Sequence, residues 1–323
     1  MKPIQNVWLK LRRGSAYALS MSISGGASCR WVYGEIDRQH CLSFKSILAS
    51  GGEELGGVPS QDALVPSAPL EQAIQGALRR LPAGAVHPQF LVFSVPSKHA
   101  YLGEISVPKD ERESLIRYQI QELMELAAGT SEREAAFDWQ LKAELSDGHV
   151  SLAVAGIDQR QVDEVRQACQ SCGLQCLGIT LDSVAAMNGY LQMVPAALKQ
   201  VDIRFLLHGE LSRNRVRLGV FSQGVLFNES WEHSEEGFSV VQAISALERL
   251  VSTWTRDGVP DETASVRLIL GGELMYAKGC ELTAKRSQVL SPRLMDIPPR
   301  KELQTHWHDD VVPFGALEAM PCE

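Results

Sequence analysis

Residues 90–108 read Phe-Leu-Val-Phe-Ser-Val-Pro-Ser-Lys-His-Ala-Tyr-Leu-Gly-Glu-Ile-Ser-Val-Pro, two mainly apolar runs each closed by a proline. Phe90 to Val95 has the near-continuous apolar pattern of a strand covered on both faces, and Pro96 with Ser97 ends it. Glu104 to Pro108 reads as a second strand running into a helix just after Pro108. Asp110, Glu111 and Glu113 fall in that helix's first turn, where the backbone dipole favours anions. Three- and four-residue spacing marks Ile116, Ile120 and Leu123 as its buried stripe.

Working downstream, Ala136 to Leu141 is a further strand, the turn Ser146-Asp147-Gly148 follows, and Val150 to Ala155 is the next strand. A helix from Gln159 to Cys172, a strand from Cys176 to Thr180 and a helix from Leu181 to Leu191 close this region, and Pro195 to Gln200 reads as a junction. Upstream, residues 16–36 alternate apolar and polar about Ser24-Gly25-Gly26-Ala27-Ser28, as a hairpin does. Gly51 to Pro69 reads as a loop, and Leu70 to Leu81 as a helix with Leu70, Ile74, Ala77 and Leu81 on one face. The second half repeats the opening theme. Arg204 to His208, Arg215 to Phe221 and Val225 to Trp231 are strands, with a turn at Ser222-Gln223-Gly224. The long helix Gly237 to Thr255 turns Val240, Ile244, Leu247, Leu250 and Val251 inward, and Val266 to Leu270 ends in Gly271-Gly272. The remaining residues are Pro-punctuated and give no periodic pattern.

The chain has 323 residues, 45% hydrophobic and 22% charged, which suits a globular protein of two domains. A formal charge of -8 argues against nucleic acid as a partner, since phosphate neutralisation needs a surplus of Lys and Arg. No window approaches the roughly 20 apolar residues of a membrane-spanning helix, so any membrane role is expected to run through a partner. Lys10, Arg12 and Arg13 precede an apolar stretch, but Ser20, Ser22, Ser24 and Gly25 interrupt it, against an export signal. Seven cysteines, an odd number in a chain this long, point to a reducing cytoplasm.

Chemistry-bearing patterns are sparse. Cys169, Cys172 and Cys176 cluster without the second pair or the His that a tetrahedral metal site requires, so they read as small hydrophobes at a helix end stopped by Gly173. His306-Trp307-His308-Asp309-Asp310 has ligand-like spacing but lies in a polar stretch and reads as solvated; no metal is expected. Ser94 to Lys98 and Gly14-Ser15 lack the glycines of a nucleophile elbow, and there is no Walker loop. The charged side of the helix near Arg112 to Glu125 reads as a solvated face.

A hairpin-opened half, an inserted αβ module and a second hairpin-opened half ending in strand-Gly-Gly resembles the plan of the actin-like ATPases. Val95-Pro96-Ser97, Ile105-Ser106-Val107-Pro108, Phe137-Asp138-Trp139, Val150 to Ala155 and Cys172-Gly173-Leu174 are similar, in order and spacing, to the PilM and FtsA family and to the cytoplasmic part of GspL. That resemblance implies an α/β, actin-like fold of two RNase H-like halves. The first half would span residues 1–197 with an inserted αβ subdomain at about 91–175, and the second residues 198–323 with a reduced roof.

The same resemblance implies a site for ATP and magnesium between two hairpin turns, each carrying Asp-x-Gly. Here the first turn aligns as Ile23-Ser24-Gly25, with Gly26 beside it and Arg30 where a Lys is usual, so its acid is gone. The second aligns as Glu210-Leu211-Ser212, which keeps an acid and loses the glycine that lets backbone N–H groups reach phosphate. Gly271-Gly272-Glu273 resembles the adenosine turn. The expectation is a pseudo-ATPase with no cofactor: a cytoplasmic adaptor that holds a cytoplasmic peptide of an inner-membrane, PilN-like pilus or secretion protein in a groove beside the inserted subdomain. Oligomeric state is left open. The alternatives are an active ATPase or kinase using Glu210, Gly25 and Gly271, and an FtsA-like division protein, for which the expected basic C-terminal helix is absent.

Overall fold

The structure is a computed structural model and describes residues 16–24, 28–37, 43–55, 65–97, 100–128, 135–193, 203–222, 225–256, 266–295, 312–313 and 315–316. Strands β1 (Ala16–Ser24), β2 (Ser28–Asp37) and β3 (Ser43–Glu54) form an antiparallel meander. β4 (Phe90–Val95) lies parallel to β1, and β8 (Gln175–Leu181) parallel to β4, so the sheet runs β3-β2-β1-β4-β8.

Side-chain alternation on β1 sorts the two faces of this sheet. Leu19, Met21 and Ile23 join the core built with α1 (Ser67–Arg79) and α3 (Gln159–Ser171), where Leu70, Ile74, Val165 and Ala168 are buried. Ala16 and Ala18 face the other way, toward Ala185 of α4 (Asp182–Met193).

The second half repeats this order. β9 (Phe205–Leu211), β10 (Arg215–Ser222) and β11 (Val225–His233) are antiparallel, and β12 (Val266–Gly271) is parallel to β9, giving β11-β10-β9-β12. One face packs on α5 (Val240–Arg256) through Leu207, Val216, Leu218, Val220, Ile244, Leu247 and Val251. The repeated meander-plus-parallel-strand order makes this an actin-like fold of two RNase H-like halves. α4 joins them: its Ala186, Met187 and Tyr190 pack on Leu206, Phe221 and Ile269 of the second sheet.

The inserted subdomain is a three-stranded sheet, β5 (Tyr101–Pro108), β7 (His149–Asp158) and β6 (Ala135–Glu144), in the order β5-β7-β6, with α2 (Glu113–Ala128) across one face. It is shorter than the expected 91–175. β4 and β8 belong to the main sheet, β4 pairing with β1 and β8 with β4. α2 buries Ile120 and Met124, while Leu123 is half-buried, because a four-residue step from Ile120 follows the face better than a three-residue one. The other side of the small sheet offers Leu102, Ala155 and Ile157 to the core of the first half.

Two readings need correction. Gly51 and Gly52, taken as the start of a loop, lie inside β3: a Cβ on Gly51 would stand 2.7 Å from the Trp31 ring, and one on Gly52 3.0 Å from Arg30 Nη1. Glycine is present there because larger neighbours cross the strand. Beyond β12, where no pattern was readable, a 3-10 turn (Glu273–Tyr276), the short helix α6 (Cys280–Arg286) and a second 3-10 turn (Ser291–Arg293) follow. Residues 195–200, read as the junction, lie outside the described residues.

Candidate functional site

Period-two alternation places a polar row on the side of the second sheet that faces the first half. His208 and Glu210 of β9 and Arg217 of β10 alternate with the apolar residues packed on α5, and Glu229 of β11 joins their face through its pairing with Gly219. Across from them, the parallel register Val95↔Leu181 brings the next positions of two chains together: Ser97 follows β4, and Asp182 opens α4. The Ser97 N–H donates to Asp182 Oδ1 at 2.8 Å, which fixes that carboxylate.

Arg217 connects the halves. Its Nη1 donates to Asp182 Oδ1 and to Ser97 Oγ, both at 2.7 Å, and stands 3.4 Å from Glu229 Oε1. Its Nη2 donates to Glu210 Oε2, while Arg215 Nη2 reaches Glu210 Oε1 at 3.2 Å. The Ser97 hydroxyl donates to Glu229 Oε1 at 2.9 Å. The side chains of Arg217 and Glu229 are only 1% and 2% exposed, so these are desolvated charges.

Environment sets their protonation. Burial disfavours the Arg217 cation, but Asp182, Glu210 and Glu229 outweigh it and raise its pKa further above the usual range. Burial would raise Glu210, yet Arg217, Arg215 and His208 hold it well below the ordinary carboxylate value. Glu229 goes the other way: burial dominates and raises it despite Arg217. For His208, burial and then Arg217 lower the pKa to about 4, so the imidazole is neutral at pH 7. Its ring lies 5.2 Å from that of Tyr190.

The strand-Gly-Gly turn is brought to the same place and packed by the protein itself. A Cβ on Gly271 would stand 2.1 Å from Tyr190 Oη, and Gly272, at φ 94, would put one 2.6 Å from the Leu211 carbonyl oxygen. Glu273 Oε1 accepts from the Arg213 N–H at 2.6 Å, binding this turn to the β9–β10 turn. Ser212 does not frame an open loop: its N–H donates to the Arg215 carbonyl, and its hydroxyl to Glu210 Oε1 at 3.4 Å.

The structure therefore places Glu210 and Gly271 at the join between the halves, with Gly272 and Glu273 next to them against the β9–β10 turn. Arg30 lies on β2 against Gly52, and Gly25 and Gly26 lie outside the described residues. Sequence reading missed Ser97, Asp182, His208, Arg217 and Glu229. For His208 and Arg217 the signal was a polar residue alternating with apolar ones along β9 and β10; Ser97, Asp182 and Glu229 carry no such pattern. Glu210, the acid retained from the two turns, is engaged by two arginines, Arg215 and Arg217.

Elsewhere, Cys169 is buried in the first core with its thiol hydrogen-bonded to Cys176, and Cys172 Sγ reaches the Glu71 carbonyl at 3.8 Å. Among the described residues, no group of three or more His, Cys, Asp or Glu could hold a metal, and no helix is long and apolar enough to cross a membrane. The His306–Asp310 cluster lies outside the described residues.

No protein-family model matches the chain, and no curated protein does. Solved structures do. A chain of a PilM–PilN type IV pilus biogenesis complex is 17% identical with a TM-score of 0.68, over 94% of this chain and 99% of that one. The cytoplasmic domain of EpsL, an inner-membrane component of the type II secretion system of Vibrio cholerae, is 12% identical with a TM-score of 0.52, over 95% and 96%. A diol dehydratase-reactivating factor in nucleotide-free form reaches 0.50 at 8% identity. At these identities the likeness is one of fold, and in fold the chain is an actin-like protein on the plan shared by the PilM–PilN chain and cytoplasmic EpsL.

Proposed function

We propose that this chain is a non-hydrolysing adaptor of a type IV pilus or type II secretion-like assembly platform. It sits at the cytoplasmic side of the inner membrane by binding the cytoplasmic peptide of a PilN-type membrane protein beside the inserted subdomain. The fold likeness to a PilM–PilN chain and to cytoplasmic EpsL supports the setting. The Arg217 network supports the absence of turnover. A metal–nucleotide pair needs free carboxylates and open backbone between the halves, and this chain instead places an arginine cation among Asp182, Glu210 and Glu229. Function then rests on presenting fixed surfaces.

A thermal-shift titration with magnesium and ATP tests this reading. A ligand at a hundred times its dissociation constant stabilises a protein by about 2.7 kcal/mol, a displacement of several degrees. The expected result is no saturable shift at millimolar ATP and no phosphate release above a buffer blank. A saturable rise, or hydrolysis abolished by Glu210→Gln, overturns the proposal in favour of an ATPase or kinase.

A further inference from the structure

α2 carries two apolar faces. The inner one, with Ile120 and Met124, is buried on the inserted sheet. The outer one holds Leu115, Tyr118 and Leu126, which are 47%, 60% and 81% exposed. At 100° per residue these three fall within one stripe on the solvent side, with Glu122 between them. Tyr118 Oη donates to Glu122 at 2.8 Å, so the ring is held in place along the helix. Glu125 borders the stripe, and the exposed Arg112 stands just before the helix. The one basic side chain of the helix itself, Arg117, is turned to the other flank, where it bonds Glu113 and lies 4.7 Å from the centre of the Trp139 ring.

An exposed apolar stripe with an acidic border is complementary to a helix bearing apolar residues flanked by Lys and Arg. Cytoplasmic segments next to a membrane span carry an excess of those residues. We propose that the outer face of α2 docks the basic, amphipathic cytoplasmic segment of the membrane partner, as a helix lying along Leu115, Tyr118 and Leu126. This rests on the adaptor reading above and names the surface and the chemistry of the segment it takes. A second copy of this chain is a poorer occupant, because it would bring another acidic face to an acidic face.

The test uses the full chain and two synthetic 18-residue helical peptides that share a leucine stripe, one flanked by Lys and one by Glu, followed by fluorescence anisotropy. The Lys-flanked peptide is expected to bind, to weaken as salt rises, and to protect residues 113–128 from amide exchange. Leu115→Ser/Tyr118→Ser/Leu126→Ser should weaken it at least tenfold, and Glu122→Lys/Glu125→Lys should do likewise, with unchanged melting midpoints because all five side chains stand outside the core. Equal binding of the Glu-flanked peptide, binding indifferent to the triple substitution, or no binding at all overturns the docking face. So does concentration-dependent dimerisation that the triple substitution abolishes, which would make a second copy the occupant. None of these substitutions touches the join between the halves. Loss of the docking face with no ATP shift therefore leaves the non-hydrolysing reading standing, while an ATP shift with intact peptide binding removes that reading and keeps the face.

Discussion

Replacing Arg217 with Leu removes the one cation shared by Asp182, Glu210 and Glu229 and leaves buried carboxylates facing each other. Glu210 keeps Arg215 at 3.2 Å, but Asp182 keeps only neutral donors and Glu229 only the Ser97 hydroxyl. Breaking a buried ion pair by deleting one partner costs about 3–5 kcal/mol, because the remaining charge is desolvated and unpaired. At roughly 2 °C per kcal/mol for a chain of this size, the melting midpoint should fall by about 6–10 °C at pH 7. The loss should depend on pH with a definite sign. In the native chain Glu210 has a depressed pKa, so its stabilisation is present above the ordinary carboxylate value near 4.5 and is lost as pH falls through its folded pKa. In the variant, burial without Arg217 favours the protonated acids, so stability rises as pH falls. The gap between the two proteins should be widest at pH 7 and narrow toward pH 4.5. Millimolar magnesium should raise the variant's midpoint and leave the native one unchanged, since only the variant presents uncompensated carboxylates. A gap below about 1 kcal/mol at pH 7, or one that does not vary with pH, would refute the claim that this cation holds the halves together.

Two further outcomes follow from the same region. His208, with its pKa lowered to about 4 from 6.5, refuses a proton that the unfolded chain accepts, so stability should fall between pH 6.5 and 4 by at most about 3 kcal/mol and then level off. Glu229, whose pKa is raised, contributes in the opposite sense, so the comparison is between the native chain and His208→Gln. The variant should show the flatter urea-midpoint profile across that window, and identical slopes would contradict the assignment. Gly272→Ala forces a side chain into φ 94 and within 2.6 Å of the Leu211 carbonyl, which should cost about 2 kcal/mol or more in urea unfolding at constant m-value; a neutral result would mean the turn is not packed as described.

Much of the fold was legible because its strands carry local signals. The hairpin at residues 16–36, the buried run Phe90–Val95 and the long helix with Ile244, Leu247 and Val251 each announce themselves by periodicity. The repeated order β3-β2-β1-β4 and β11-β10-β9-β12 then follows from two similar element strings. β3 was misread at its end because Gly51 and Gly52 look like loop residues; they are glycines to accommodate Trp31 and Arg30 on the next strand, a fact about neighbours distant in sequence. The extent of the insert was overdrawn for a similar reason. Nothing local in Phe90–Val95 says that its partner is β1, some 70 residues earlier, rather than the strand that follows it.

The site was legible only as far as a resemblance could carry it. Glu210, Gly271, Gly272 and Glu273 were picked out by aligning turns, and the structure places them near one another, but the arginine that engages Glu210 was invisible to that method. Arg217 lies in Arg-Val-Arg-Leu-Gly-Val, where an arginine in alternation reads as the solvent side of a strand. Only the packing of α4 and Ser97 against the second sheet buries that side, and burial changes the meaning of the charge. An exposed arginine would leave Glu210 free to act; one that is 1% exposed and bonded to both halves neutralises it. Asp182, Glu210 and Glu229, gathered at one buried place, need a counter-charge, and the tethered Arg217 guanidinium supplies it. Arg217 and the apolar side of α4 together join the two halves, and the outer face of α2 stands apart from that join.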